Sequence, residues 1–141
     1  MKKWVAYTYK CRFVRSYAGI YCELPKIPIE MLLNGKIFPT EGVIDSGCTR
    51  THIRADVADF FGIETSALPE ATTAGITGSE QGRLAKISLH VLGHGEPFDA
   101  DVVIVKDLPV PVLLGNNNFF DTFDVRFERS KQYFYIRCAN P

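Results

Sequence analysis

The sequence is dominated by short stretches in which apolar and polar residues alternate. In residues 5–13, for example, every odd position is apolar or aromatic, and the even positions include Thr8, Lys10 and Arg12. A period of two is typical of a β-strand with one buried face. Further strands are predicted at residues 17–24, 27–33, 36–38, 83–92, 98–105, 125–127 and 133–136. The pattern therefore predicts a mainly β fold.

The predicted strands are separated by turn signals and one helical segment. Asn34 and Gly35 suit the positive φ angles of a tight hairpin turn, and residues 93–95, Gly-His-Gly, join a second hairpin. One short helix is predicted to end at Gly62, which can adopt a left-handed cap. Its apolar residues at helical spacing are Ile53, Val57, Phe60 and Phe61.

Length and composition limit the classes of protein to consider. The 141 residues suffice for one domain with a core, and 46% hydrophobic with 23% charged residues is ordinary for a globular protein. Sixteen basic and sixteen acidic residues cancel, which argues against nucleic acid and anionic membranes as partners. No apolar run is long enough to cross a membrane. We read no export signal, so the four cysteines are expected to be reduced and the protein cytoplasmic.

Asp45 is the residue that most strongly suggests chemistry. It follows the apolar pair Val43 and Ile44 and precedes Ser46 and Gly47, so a buried strand is predicted to deliver its carboxylate to a turn. Hydrolysis of a peptide by carboxylates needs two of them, one as base toward water and one as acid. The chain has one such loop. A two-fold homodimer would supply the second Asp45.

Two later segments complete a pattern that resembles a known family. Residues 43–47 are followed by a Gly-Ile-Thr-Gly segment at 75–78 and by Leu-Leu-Gly at 113–115. In this order they resemble the catalytic loop, the flap and the later apolar-apolar-Gly of retropepsin-like aspartic proteases, over roughly residues 27–136. The resemblance implies a closed acid-protease barrel with one or two short helices. It also implies a homodimeric aspartic endopeptidase that uses no cofactor and no metal.

The resemblance assigns a role to each matching residue. Asp45 would be the catalytic carboxylate. The residues that would support its loop are Ser46, Gly47, Leu113, Leu114 and Gly115. The flap that would cover a bound peptide consists of Gly75, Ile76, Thr77 and Gly78. A short helix with Phe119 and Phe120 would pack beneath the catalytic loop.

The sequence also departs from the family pattern. Cys48 stands where relatives usually carry Ala, Ser or Thr, so a hydroxyl that could bond to the catalytic carboxylate is missing. Asn116 and Thr49 occupy positions where retroviral members often form an Arg–Asp ion pair, so that brace of the dimer cannot form. We treat residues 1–141 as one domain with residues 1–24 as an N-terminal β extension, which is one candidate for the dimer interface.

Other interpretations of the same residues are weaker. Cys48 lies near His52 in sequence, but no orienting acid stands at a fixed spacing for cysteine catalysis. His90 and His94 have a three-residue gap, which on strands does not form a helix-type metal pair, so no metal is assigned. The main competing function is a catalytically silent retropepsin-like module that binds peptides or self-associates, because a fold does not guarantee its chemistry.

Overall fold

A computed structural model describes residues 2–13, 21–75 and 78–139. Strands account for most of this chain. Their bounds are β1 Val5–Thr8, β2 Lys10–Phe13, β3 Tyr21–Leu24, β4 Lys26–Leu33, β5 Lys36–Ile44, β6 Thr51–Arg54, β7 Glu70–Gly75, β8 Gly78–Val91, β9 Phe98–Val105, β10 Val112–Leu114, β11 Phe123–Glu128 and β12 Tyr133–Cys138. One α-helix, α1, spans Ala55–Phe60. A short helical turn spans Asn116–Phe120, and 3-10 turns span Thr65–Ala67 and Arg129–Lys131.

Six strands close into a barrel. They follow the order β4, β5, β10, β6, β9, β8, and β4 pairs with β8 to close the circle, while β7 extends beyond β8. Most neighbours are antiparallel, but β10 runs parallel to β5 and β6 runs parallel to β9. The predicted mainly β fold with a closed barrel is confirmed.

The barrel interior is apolar, as the alternation of the sequence predicts. In β4 the fully buried residues Ile27, Ile29 and Met31 alternate with partly exposed ones. Strands β6, β8 and β9 contribute further aliphatic side chains, and α1 covers the barrel with Val57 and Ala58. Full burial of each aliphatic side chain contributes about 1.5–3 kcal/mol, so the core is the main source of stability in the barrel.

A second sheet joins the two ends of the chain. Strand β12 lies between β1 and β11, and both pairings are antiparallel. Its Phe134 is fully buried and stacks on Tyr7 at 5.4 Å between ring centroids. The Tyr7 hydroxyl lies 2.7 Å from Nε2 of the buried His94. Burial lowers the pKa of His94 and raises the pKa of Tyr7.

Several predicted elements are confirmed by the structure. Asn34 and Gly35 form the hairpin turn between β4 and β5 with φ of 52° and 73°. The hairpin of β8 and β9 and the closing hairpin of β11 and β12 are present. Gly62 follows α1 with φ of 71°, as expected of a left-handed cap. These are places where local turn chemistry agrees with the tertiary fold.

Three details of the predicted strands and helix were wrong. The single strand over residues 5–13 is divided at Tyr9, because β1 pairs with β12 whereas β2 pairs with β3. Ile53 belongs to β6 rather than to the helix, since residues 51–54 pair with β9. Phe60 is 43% exposed, so the buried face of α1 is narrower than its spacing suggested.

The strand predicted at residues 17–24 lies only partly within the described residues. Of the strand predicted at residues 17–24, β3 covers only Tyr21–Leu24, and residues 14–20 lie outside the described part.

Among the described residues, no helix has the length and apolar character needed to cross a membrane.

Candidate active site

Asp45 lies where β5 leaves the barrel. The preceding residues Val43 and Ile44 are buried, and Asp45 itself is half-buried, while Ser46 and Gly47 are exposed. The amide of Asp45 donates to the Leu114 carbonyl over 2.9 Å, which continues the pairing of β5 with β10 for one residue. A core strand thus presents a carboxylate at its end, as the sequence predicts.

Both oxygens of the Asp45 carboxylate accept hydrogen bonds from its own loop. The amide of Gly47 donates to Oδ1 over 2.9 Å, and the thiol of Cys48 donates to Oδ2 over 3.1 Å. The amide of Cys48 also donates to the Asp45 carbonyl over 3.2 Å, which closes the turn. Cys48 has no hydroxyl group, but its thiol donates a hydrogen bond to the Asp45 carboxylate in place of one.

Asn116 holds the loop from the neighbouring segment. Its side-chain Nδ2 donates to the carbonyls of Ser46 and Cys48 over 2.8 Å and 3.1 Å. Its backbone amide donates to the Cys48 carbonyl over 2.8 Å. The backbone amide of Asn117 donates to the Thr49 carbonyl over 2.8 Å. Sequence reasoning noted Asn116 only as the loss of an ion pair. No spacing signal identified it as a brace within its own chain.

Gly115 allows the two segments to approach this closely. A Cβ atom placed on it would overlap the Arg50 carbonyl and would lie 2.9 Å from the Cys48 carbonyl oxygen. Its amide donates to Oγ1 of the fully buried Thr51 over 3.2 Å. The sequence pointed to Gly115 for this reason, but Thr51 was missed, since one threonine in a strand carries no distinctive pattern.

Leu114 and Leu113 face opposite sides of β10. Leu114 is fully buried in the barrel core, whereas the partly buried Leu113 packs against a small apolar cluster beside the loop. This side cluster consists of Val43, Leu108 and Val110, with Leu24 and Leu113 packed against it. The residues that flank Asp45 on this side are therefore apolar.

The predicted flap is described only in part. Gly75 ends β7, Gly78 begins β8, and the two glycines form the last pair of the antiparallel β7–β8 ladder. Ile76 and Thr77 lie outside the described residues. The assignment of these four residues as a flap stays a prediction.

The predicted helix after Gly115 is irregular. In the turn Asn116–Phe120, Asn117 has ψ of 132° and Asn118 has φ of 72°, neither of which is helical. Phe119 is fully buried and lies 5.1 Å from the Phe123 ring. The hydrogen bonds of Asn116 and Asn117 to the Asp45 loop account for the extended start of this turn.

The cysteine and histidine side chains considered for other chemistries all have contacts in the structure. The Cys48 thiol donates to Asp45, and Nδ1 of His52 lies 2.8 Å from the Arg50 carbonyl oxygen. His90 contacts the Gly95 carbonyl and His94 contacts Tyr7. Within residues 2–13, 21–75 and 78–139, no group of three or more His, Cys, Asp or Glu side chains is arranged to hold a metal ion.

Comparison with known proteins places the fold. No protein-family model matches the sequence, and no curated protein matches it. Among solved structures, the chain is similar to a retropepsin-like aspartic protease from Rickettsia conorii, with a TM-score of 0.60 and 14% sequence identity. The match covers 99% of this chain and 97% of that chain. The protein therefore has a mainly β, closed-barrel fold of the retropepsin-like kind.

Proposed function

We propose that this chain is one subunit of a homodimeric aspartic endopeptidase with Asp45 as its catalytic residue. The observation that carries the proposal is the Asp45 carboxylate, half-buried at the end of a core strand, with both oxygens oriented by donors in its own loop. A carboxylate held in this way on a rigid support is suited to positioning a water molecule. The similarity of fold is consistent with this reading.

The mechanism requires two copies of Asp45 at a two-fold axis. One carboxylate, ionised, accepts a proton from water as the oxygen attacks the scissile carbonyl carbon. The other, protonated, donates a hydrogen bond and then its proton to the carbonyl oxygen. Two like charges a few ångströms apart cannot both ionise, which favours this division of roles. As the tetrahedral intermediate collapses, the Asp45 that took a proton from water gives it to the leaving nitrogen and the C–N bond breaks, while the other Asp45 recovers a proton from a hydroxyl of the intermediate.

The proposal includes the substrate and the subunit arrangement. An extended peptide would lie between Asp45 and residues 75–78 of the flap, with apolar side chains near the cleaved bond. Ser46, exposed on the loop, is proposed to bond across to the partner loop. The proposal also takes residues 1–141 as one domain, with residues 1–24 as an N-terminal β extension.

The direct test is the substitution Asp45→Asn, which changes the protonation chemistry but hardly the volume. Cleavage of a broad peptide library should fall by roughly 10²–10⁴-fold, the usual contribution of an acid–base group. Thermal unfolding and sedimentation should stay unchanged. Equal cleavage by wild type and Asp45→Asn would exclude the aspartic mechanism, and no cleavage by wild type at any acidic or neutral pH would favour a silent module.

A further inference from the structure

The sheet formed by β1, β12 and β11 ends in a strand, β11, that is paired on one side only. Its partner is β12, and in the described part of the chain no strand lies on its other side. The Ala139 amide donates to the Thr122 carbonyl over 2.9 Å at the end of this ladder. Backbone groups of alternate residues point to opposite sides of a strand, so the amides and carbonyls of Val125 and Phe127 point away from β12. Strand β11 therefore presents an open edge.

The sequence of β11 has none of the features that usually protect such an edge. It contains no lysine, proline or glycine, and Phe127 is 45% exposed. An unprotected edge is a template for pairing with another strand. At the opposite edge of the same sheet, β1 reads Val-Ala-Tyr-Thr, so it has no charged residue that could fix the register of a second chain.

Strand β11 is complementary to a second copy of itself in an antiparallel pair. With Val125 opposite its own copy, Asp124 lies opposite Arg126 of the second copy, and Arg126 lies opposite Asp124. On the other face, the exposed Phe127 meets Phe123 of the second copy. The side chains of Asp124 and Arg126 are 46% and 47% exposed, so each can contact a second chain while keeping its ion pair within its own.

Other registers of the same pair are disfavoured. A shift of two residues in one direction places Arg126 opposite Arg126 and Asp124 opposite Glu128, and in the other direction it places Asp124 opposite Asp124. Like charges directly opposite each other are destabilising. A shift of four leaves at most Arg126–Glu128 paired, and an odd shift sets the apolar face of one copy beside the charged face of the other. One register therefore satisfies both faces.

We propose that two copies of this chain join through β11, antiparallel and with Val125 on the two-fold axis. Two three-stranded sheets would thereby merge into one of six strands. This inference rests on the proposed function, which requires two chains, and it names the surface that joins them. Strand β11 follows the turn Asn116–Phe120, whose first amide is bonded to the Asp45 loop. Strand β1, by contrast, is already paired with β12 of its own chain.

The first experiment is a cross-link on the proposed axis. The Cα atoms of a hydrogen-bonded antiparallel pair lie about 5.5 Å apart, within the roughly 4.4–6.8 Å that a disulfide spans. Diamide, which is reduced as it oxidises two thiols, should link Val125→Cys chains at least about tenfold faster than Thr8→Cys chains, because only the former thiols meet at high effective concentration. Thr8 is exposed on β1, at the opposite edge of the sheet. Wild type reports the background of the native cysteines, and mass spectrometry identifies the linked position.

The second experiment removes the central hydrogen bonds between the copies. Val125→Pro deletes an amide that points to the open edge, where proline is tolerated, so no bond to β12 is lost. Both bonds across the axis disappear, and the dimer dissociation constant from sedimentation should rise at least about tenfold. Val125→Thr is the matched control, because it keeps the amide and a β-branched side chain and should dimerise like wild type. If the proline variant does not fold, the cross-link decides the matter.

The outcomes separate this inference from the proposed function. If the wild type is a dimer but Val125→Cys links no faster than Thr8→Cys, or Val125→Pro dimerises like wild type, the β11 interface is wrong. The proposed function then still stands if cleavage requires Asp45 and falls on dilution. If Val125→Cys links as expected but Asp45→Asn retains full activity, the interface stands and the proposed function fails. A wild type that is monomeric at every concentration tested would overturn the interface outright.

Discussion

The Asp45 loop and the terminal sheet, which is formed by β1, β11 and β12, hold their polar groups in opposite ways. In the loop, Asp45 is half-buried, and its carboxylate accepts bonds from an amide and a thiol of the same turn. Against the terminal sheet, His94 in the turn between β8 and β9 is 6% exposed, bonded to Tyr7 and in ring contact with Tyr7 and Phe123. A polar group that is enclosed and satisfied serves the fold, whereas one that is oriented but still accessible can meet a substrate.

The two regions also differ in what supplies their rigidity. The loop depends on backbone hydrogen bonds between residues 45–49 and 114–117, with a glycine at the point of closest approach. The terminal sheet depends on packing of large side chains, such as Phe134 against Tyr7 and Tyr9. We therefore expect the Asp45 loop to be disrupted by substitutions that add a methyl group or remove a hydrogen bond. The terminal sheet should instead be destabilised by substitutions that shorten a buried side chain.

The largest expected effect is that of Gly115→Ala on stability. The added methyl would meet the Arg50 and Cys48 carbonyls, which are backbone atoms that cannot rotate away. We expect a loss of about 3 kcal/mol or more in the free energy of unfolding, measured by urea denaturation. Gly47→Ala is the matched control, because its methyl would lie 3.2 Å from Asp45 Oδ1 with no backbone clash. Equal stability of the two variants would contradict the close approach at Gly115.

The next effect concerns the sharing of Asp45 between subunits. A tenfold excess of Asp45→Asn chains should remove about nine tenths of the activity per wild-type chain, because about ten of every eleven wild-type chains would then pair with a variant chain. Activity per chain should also fall on dilution, in step with sedimentation. An excess of Phe134→Leu chains, which keep Asp45, is the control and should not poison activity. Constant activity well below the dimer dissociation constant would mean that one chain suffices, and Asp99, Asp101 and Asp121 would then be tested as second acids.

A smaller effect is expected from Asn116→Ala. The change removes two side-chain bonds to the carbonyls of Ser46 and Cys48, and should cost about 1 kcal/mol of stability. Activity should fall further than this loss explains, since the loop that carries Asp45 would be less rigid. Phe134→Leu should also reduce stability while leaving activity per folded chain unchanged. The comparison of the two regions would lose its basis if both variants lowered activity alike.

The smallest effect is a pH dependence at the terminal sheet. Burial holds the pKa of His94 below its ordinary value of 6.5, so the unfolded chain takes up a proton at this site more readily than the folded chain. Stability from this site is therefore present above pH 6.5 and is lost as the pH falls below it. Thermal unfolding from pH 7.5 to pH 5 should show a smaller decline for His94→Gln than for wild type. An identical decline would exclude His94 as a contributor.

The fold class, the main hairpins and the placement of Asp45 at the end of a strand follow from local sequence patterns. Alternation of period two requires strands with one buried face, and Asn34-Gly35 has few backbone options besides a tight turn. The apolar pair before Asp45 and the small residues after it similarly required a strand that ends in a turn. These features depend on neighbours in the chain, which is why they are readable without the tertiary structure.

The pairing of the strands and the surroundings of Asp45 depend on contacts between residues that are distant in sequence. The break at Tyr9 follows from the separate partners of β1 and β2, which are distant in sequence. The bonds from Asn116 to the loop join residues separated by 68 and 70 positions, and no local pattern encodes them. The thiol of Cys48 reaches Asp45 because the loop folds back on itself. The sequence names the residues of the site, but the closed barrel brings them into contact.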